Sequence, residues 1–142
     1  MPRGLRNNNP LNLRKSSNKW LGKIYNGSDP AFEQFTSLEM GIRAGMINAR
    51  TIAHRQKPNN TIEALIRTWA PACDNNNTAA YIRSVCAYAE LKPDYKVDYT
   101  KRLDFCAIIT AMIYVECGVH IKPNIVNTAY VLAFSTTENS PK

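Results

Sequence analysis

The sequence has only two histidines, and its four cysteines include no Cys-x-x-Cys pair. Structural zinc sites draw their ligands from such clusters, so a metal centre is not expected. The chain also lacks the phosphate-binding P-loop and the Gly-x-Gly-x-x-Gly fingerprint of dinucleotide-binding folds. We therefore expect that the protein uses neither a metal nor a cofactor.

Long hydrophobic runs are missing as well. The longest nearly apolar run, from Cys106 to Val115, is too short for a helix that crosses a bilayer. The basic, polar N-terminus lacks the apolar stretch of a secretory signal peptide. We expect no membrane span and no export through a signal peptide. Free thiols are then favoured over disulfides, although one or two bridges stay open.

Acidic residues are absent before Asp29, and this gives the chain a polarised charge. Six of the 18 Lys and Arg residues precede Asp29, whereas the rest of the chain is close to neutral. A basic segment of this kind indicates an anionic partner, which could be nucleic acid, a membrane surface or an acidic wall polymer. A solvated arm that only aids solubility is the alternative.

The 142 residues are enough to bury a hydrophobic core, and they contain no internal repeat or long linker. We predict one domain over residues 1–134 and a polar, disordered tail over residues 135–142. Residues 1–18 have no hydrophobic period and are predicted to be loop. Two short alternating segments around an Asn-Gly turn predict one small β-hairpin near 19–36.

The remainder of the chain is predicted to be mainly α, with five or so helices. The helix over 101–117 is apolar nearly all round, so we expect it to be the buried central helix. Pro123 is expected in the first turn of the last helix. The predicted caps are Ser37, Thr61 and either Asn77 or Thr78 at helix N-termini, and Gly118 at a C-terminus.

Glu116 is the leading candidate for a catalytic residue. It lies at the end of the predicted central helix, where poor solvation and the negative end of the helix dipole both raise a carboxyl pKa. A carboxylic acid that stays protonated near neutral pH can protonate a glycosidic oxygen. The alternative is that Glu116 emerges into solvent and pairs with a nearby Lys or Arg.

A glycosidase with two catalytic carboxylates needs a second acid near the first. Glu39 is the runner-up catalytic candidate, and Asp29 and Glu33 are the other acids considered. The helix dipole explains Glu39 in the first turn of a helix, and a turn explains Asp29, so neither needs a catalytic role.

The Asn-rich segment from Asn7 to Leu13 offers many amide donors and acceptors, although Asn side chains also bond locally to the backbone. Trp20 is a candidate platform for stacking a sugar ring or a base, and it is equally plausible as a core residue. Tyr81 is expected to face the core, with the lining of a groove as the alternative.

Several motifs in one order resemble those of small phage proteins of the "RGIRNNNPGNIR" type. In this sequence they are RGLRNNNPLNLR, W-x-G, F-x-x-F-x-S-x-E-x-G-I-R-A, T-I-x-x-L-I-x-x-W-A-P, N-N-x-T-x-x-Y-I-x-x-V and E-x-G. The resemblance covers roughly residues 3–134. That family comprises virion structural or wall-degrading proteins related to lysozyme-like lytic transglycosylases. The sequence departs from it at Leu11, where Gly is usual, and at Cys117, where Asn is usual.

The resemblance implies a lysozyme-like α+β fold. In flagellar-type glucosaminidases the Asn-rich segment, W-x-G and F-x-x-F/Y-x-S follow the catalytic Glu, whereas here they precede it. A circularly permuted fold, with Glu116 beside residues 7–36, would account for this order. Glu116 would then protonate the leaving oxygen and Trp20 would stack on a sugar. The further substrate-binding residues would be Asn8, Asn9, Asn12 and Tyr81.

The sequence thus predicts a phage enzyme of lysozyme or lytic transglycosylase type that cleaves peptidoglycan glycan strands with a single Glu. A non-catalytic virion structural or wall-binding protein with the same fold is the alternative, and a basic nucleic-acid-binding protein is a lesser one. The expected partners are peptidoglycan and other virion proteins, with nucleic acid less expected. The protein would be made in the host cytoplasm and act at the cell wall, free or virion-borne.

Overall fold

The computed structural model describes residues 1–135, and these contain six α-helices. The predicted disordered tail falls, apart from Ser135, outside the described residues. A short 3-10 helix, Ala72–Asp74, precedes the fourth α-helix. The α-helices are α1 Arg3–Arg6, α2 Leu38–Gln56, α3 Ile62–Trp69, α4 Thr78–Ala89, α5 Arg102–Cys117 and α6 Pro123–Phe134.

The helix ends follow the cap residues that the sequence predicts. The side chains of Ser37, Thr61 and Asn77 each accept a hydrogen bond from a backbone N–H in the first turn of α2, α3 and α4. Gly118 ends α5 at φ 74°, a left-handed conformation that glycine adopts without steric cost. Pro123 begins α6. Proline suits this position because an N–H in the first turn would have no partner within the helix.

The predicted buried central helix is confirmed as α5, whose buried residues run from Phe105 to Cys117. Helix α2, which contains nine buried residues, also lies in the centre of the fold. It packs mainly against α6, and α5 packs mainly against α4. Buried side chains from α2 to α6 belong to one hydrophobic cluster. Within residues 1–135, no helix has the length and apolar character needed to span a membrane.

The Asn-rich segment packs tightly against glycines of the helices. A Cβ atom at Gly41 of α2 would overlap the carbonyl oxygen of Asn8. One turn later, a Cβ atom at Gly45 would overlap the side chain of Leu11, which is buried in the core. The Leu11 side chain therefore occupies the space that a side chain at Gly45 would need. These two close approaches fix the position of the segment that carries Asn12.

The predicted β-hairpin near 19–36 is wrong. The described residues contain no sheet, and only isolated bridges join Arg14 to Phe32 and Lys23 to Phe35. Two backbone hydrogen bonds, from Ile24 to Gln34 and from Thr36 to Gly22, join the predicted strands, while Glu33 and Phe35 bond to the Asn-rich segment on the other edge. The Asn9 amide donates to the carbonyl oxygens of Leu13 and Glu33, both at 3.0 Å.

The start of the chain also differs from the predicted loop, because residues 3–6 form α1. Arg3 of this helix donates to both carboxylate oxygens of Asp29 at 2.7 Å, and Asn7 donates to one of them at 2.9 Å. These hydrogen bonds hold the pKa of Asp29 far below its usual range. Lys23 pairs with buried Glu33 at 3.2 Å. Part of the basic N-terminal charge is therefore neutralised within the fold.

Candidate functional site

Glu116 lies in the last turn of α5, where three segments of the chain meet. Its Oε1 atom accepts a hydrogen bond from Nδ2 of Asn12 at 2.9 Å. Its Oε2 atom accepts a hydrogen bond from the hydroxyl of Tyr81, also at 2.9 Å. The carboxyl group therefore joins the Asn-rich segment, α4 and α5, and both of its partners are uncharged.

Local backbone conformation explains how Asn12 reaches Glu116. Asn12 has φ 55°, in the left-handed region that asparagine tolerates better than other residues with a side chain. Gly4 of α1 packs against it, since a Cβ atom there would lie 2.9 Å from Oδ1 of Asn12 and 2.8 Å from Sγ of Cys117. Neither approach leaves room for a larger residue at position 4.

The electrostatics of the site favour a neutral carboxyl group. Burial raises the pKa of Glu116, while the hydrogen bonds from Asn12 and Tyr81 oppose this effect without cancelling it. Burial and the neighbouring Glu116 also raise the pKa of Tyr81, so its phenol stays protonated and can donate. The same two causes raise the pKa of Cys117 to about 11, and its thiol donates to the carbonyl oxygen of Pro10. Cys117 is therefore not a thiolate nucleophile at neutral pH.

An open cleft of about 290 Å³ lies over the carboxyl group. One wall is the polar face of α4, and Val115 and Glu116 of α5 form the other. Asn77, Tyr81 and Ser84 are spaced four and three residues apart, which places them on one side of α4. Sequence reasoning treated Asn77 only as a cap and missed Ser84, which this spacing could have revealed; it also missed Asn76, which lies outside the spacing. The α4 side is lined by Asn76, Asn77, Ala80, Tyr81 and Ser84.

Comparison with known proteins places the chain in a phage family. It is 38% identical over 119 residues to Protein P5 of Pseudoalteromonas phage PM2, and the match covers 82% of this chain and 71% of that protein. The chain belongs to the family of Protein P5. No family model matches the sequence. The predicted relation to phage proteins is thereby confirmed in its coarser form, as kinship with a phage protein.

Three of the five predicted substrate-binding residues lie apart from the carboxyl group of Glu116. Asn8 donates to the carbonyl oxygen of Phe35 at 3.1 Å, and Asn9 is fully buried and bonded to backbone. Trp20 is only 6% exposed and belongs to the core, which is the second of the two positions the sequence allowed. Asn12 and Tyr81 are the two that contact Glu116.

The acids considered as a second carboxylate do not contact Glu116 in the described part of the chain. Glu39 lies in the first turn of α2, and no hydrogen bond joins it to Glu116. Asp29 and Glu33 are buried and held by Arg3 and Lys23. Among residues 1–135, no three His, Cys, Asp or Glu side chains cluster as metal ligands, and all four cysteines are free.

The raised pKa predicts that ionised Glu116 destabilises the protein. Between the ordinary Glu pKa and the raised one, the unfolded chain releases this proton while the fold retains it, so stability falls as pH rises through that window. We expect Glu116→Gln to melt at a higher temperature than wild type at pH 7, because its amide carries no charge. The difference in melting temperature between Glu116→Gln and wild type should shrink as the pH falls below the ordinary Glu pKa of 4.5.

Thermal unfolding followed by circular dichroism from pH 4 to pH 8 measures this effect. Glu63→Gln serves as the control, since Glu63 is about half exposed and its ion pair in the described part of the chain is with Arg67. A melting temperature of Glu116→Gln below that of wild type at pH 7 would contradict the electrostatic assignment.

Proposed function

We propose that this protein cleaves the glycan strands of bacterial peptidoglycan, with Glu116 as the general acid. The observation that carries the proposal is a carboxyl group with a raised pKa at the wall of an open cleft, held by Asn12 and Tyr81. A positioned acid whose pKa is raised meets the main requirement of glycosidic bond cleavage.

The proposed reaction uses one protein carboxyl group. Glu116 donates its proton to the glycosidic oxygen, the bond from that oxygen to the anomeric carbon breaks, and the electron pair leaves with the oxygen. The substrate then supplies the nucleophile, through the carbonyl oxygen of its N-acetyl group or the 6-hydroxyl of the muramoyl residue. When the 6-hydroxyl attacks, its proton passes to the Glu116 carboxylate and restores the acid. When the N-acetyl oxygen attacks, it forms an oxazolinium ion; water then adds to the anomeric carbon, the bond to the N-acetyl oxygen breaks, and the proton of the water returns to Glu116. This scheme is supported by the lack of a second carboxylate in contact with Glu116 among residues 1–135.

The chemistry of the cleft suits an amino-sugar substrate. Its volume of about 290 Å³ is at the lower end for a small-ligand pocket, and its openness to solvent suits a polymer. The amides of Asn76 and Asn77 and the hydroxyl of Ser84 can each exchange hydrogen bonds with hydroxyl and N-acetyl groups. Membership of a phage protein family is consistent with a bacterial wall as the target.

An exposed stack of aromatic rings next to the cleft offers a sugar-binding platform. The ring of His120 stacks on Tyr114 at 4.2 Å and on Tyr88 at 5.4 Å between centroids. Tyr88 is four residues beyond Ser84, so it extends the same side of α4 by one turn. Tyr88 and Tyr114 are 45% and 43% exposed, which leaves their outer faces open to a ligand.

We expect Tyr114→Ala to weaken binding to insoluble peptidoglycan by roughly 3- to 10-fold, as loss of one aromatic stacking contact would. Co-sedimentation with purified peptidoglycan measures the affinity. Tyr25→Ala is the control, because Tyr25 is also exposed but lies in the N-terminal segment. Equal losses of peptidoglycan affinity in Tyr114→Ala and Tyr25→Ala would rule out the aromatic stack as a sugar-binding platform.

Digestion of purified peptidoglycan, with mass analysis of the soluble products, tests the proposed activity. Muramoyl products with a 1,6-anhydro ring would identify a lytic transglycosylase, and reducing-end sugars would identify a hydrolase. Cleaved stem peptides with intact glycan strands would contradict the proposal.

A non-catalytic virion structural or wall-binding protein is the second candidate. The observation in its favour is that both oxygens of Glu116 already bind protein groups, as they would in a purely structural tie between three segments. Such a protein should co-sediment with peptidoglycan and release no fragments at any pH from 4 to 8. That outcome would replace the enzymatic proposal.

A further inference from the structure

A second concave surface lies at the other end of α5 from Glu116. It is a groove of about 820 Å³ between the C-terminal part of α2 and the segment that precedes α5. Since α5 has 16 residues, the groove and the Glu116 site are separated by roughly 24 Å along that helix. We call it the basic groove, after its lining residues Arg50, His54, Arg55, Lys57 and Lys96.

The charge of the basic groove is not balanced. Asp98 is its only lining carboxylate, and it accepts hydrogen bonds from the backbone N–H and the hydroxyl of Thr100. Lys57 is near enough for its charge to help lower the pKa of Asp98, but no groove cation lies within 4 Å of a carboxylate oxygen among residues 1–135. The helix dipole favours Arg55 in the last turn of α2, but it does not account for Lys57 and Lys96, which lie outside that helix.

Two of the cations are held in place by the fold. The guanidinium group of Arg50 lies 5.4 Å from the ring centroid of Tyr99 and 5.3 Å from that of Phe134. The ammonium group of Lys96 donates to the carbonyl oxygen of Pro58 at 2.6 Å. Cations that are already ordered lose less side-chain entropy when they bind an anion, which favours binding.

A buried positive charge adds to the potential on this side of α2. Arg43 is 1% exposed, and its Nε and Nη1 atoms have no hydrogen-bond partner in the described chain. It precedes Arg50 by two helical turns, on the same side of α2. Burial and the charge of Arg50 both lower the pKa of Arg43. The cost of this uncompensated charge falls when an anion binds nearby.

We infer that the basic groove binds the phosphate groups of a single nucleic-acid strand. Guanidinium groups bind phosphate through paired hydrogen bonds, and Arg50 and Arg55 both line the groove. The groove is concave, so a flat bilayer cannot reach all of its cations together, whereas a slender polymer can. Tyr99 adds an aromatic ring beside the cations, a combination common in single-strand binding sites.

Fluorescence anisotropy with a labelled 12-nucleotide oligothymidylate, titrated with the full chain, tests the inference. We expect Arg55→Gln combined with Lys57→Gln to weaken binding at least about 10-fold and to reduce the slope of log K against log salt by about 1.4, since each phosphate of a single strand contributes roughly 0.7. Both positions are exposed, so the variant should fold, and its circular dichroism melt verifies this.

The matched control is Lys15→Gln combined with Lys19→Gln, which removes the same charge from exposed positions of the basic N-terminal segment. We expect its affinity to stay within twofold of wild type. Equal weakening in both variants would overturn the inference, because only overall charge would then matter. Binding to phosphatidylglycerol vesicles without binding to the oligonucleotide would also overturn it. Glu116→Gln should bind as wild type does, so this test is independent of glycan cleavage.

Discussion

Glu116→Gln is expected to release glycan fragments from peptidoglycan about 10²- to 10⁴-fold more slowly than wild type, the usual effect of removing a general acid. Glutamine has the same shape as glutamate. Its carbonyl oxygen can accept from Asn12, and its amide can donate to the hydroxyl oxygen of Tyr81. The substitution therefore removes the transferable proton while it preserves the links among the three segments.

The measurement is the initial rate of product release at matched peptidoglycan loading, with Glu63→Gln as the control. That variant removes a carboxyl group from α3, where Glu63 pairs with Arg67, and should retain at least half of the wild-type rate. Glu116→Gln should still co-sediment with peptidoglycan. Undiminished cleavage by Glu116→Gln would exclude Glu116 as the acid and make Glu39 the next residue to substitute.

Gly41→Ala should lower the free energy of unfolding by about 3 kcal/mol, the upper range for overpacking a core. The added methyl group would overlap the carbonyl oxygen of Asn8, and backbone cannot rotate aside as a side chain can. A shift of Asn8 would also displace Asn12 from Glu116. We expect a loss of glycan cleavage together with the loss of stability.

Gly45→Ala is a matched control for this substitution. Both glycines lie within α2, so both alanines gain a similar helix propensity of about 1 kcal/mol. At Gly45 the nearest atom is Cδ1 of Leu11, which can move by a change of rotamer. Chemical denaturation of the three proteins gives the comparison. The overlap argument fails if Gly41→Ala is as stable as Gly45→Ala.

The helical part of the fold could be predicted because its determinants are local. Ser37, Thr61 and Asn77 cap helices by accepting from residues three positions later, and an apolar run between Phe105 and Val115 marks α5. The raised pKa of Glu116 was likewise predictable, since the end of a buried helix is poorly solvated wherever the rest of the chain lies.

The N-terminal segment was harder to predict because tertiary contacts decide its structure. Lys23 and Phe35 do pair, yet only two backbone hydrogen bonds join the predicted strands, and the other edge of residues 33–35 bonds to the Asn-rich segment. Trp20 could equally have been a surface platform or a core residue, and burial against the core decided between the two. A residue type alone does not fix such a choice, because exposure depends on what packs against it.

By itself the sequence determined the mainly helical class and the helix ends, since these depend on neighbours within a few residues. Only the tertiary structure decided which groups meet over long distances in the chain. Asn12 and Glu116 are 104 residues apart, and their contact requires close packing of the Asn-rich segment on Gly41. The basic groove likewise exists because folding gathers cations from two segments of a nearly neutral stretch.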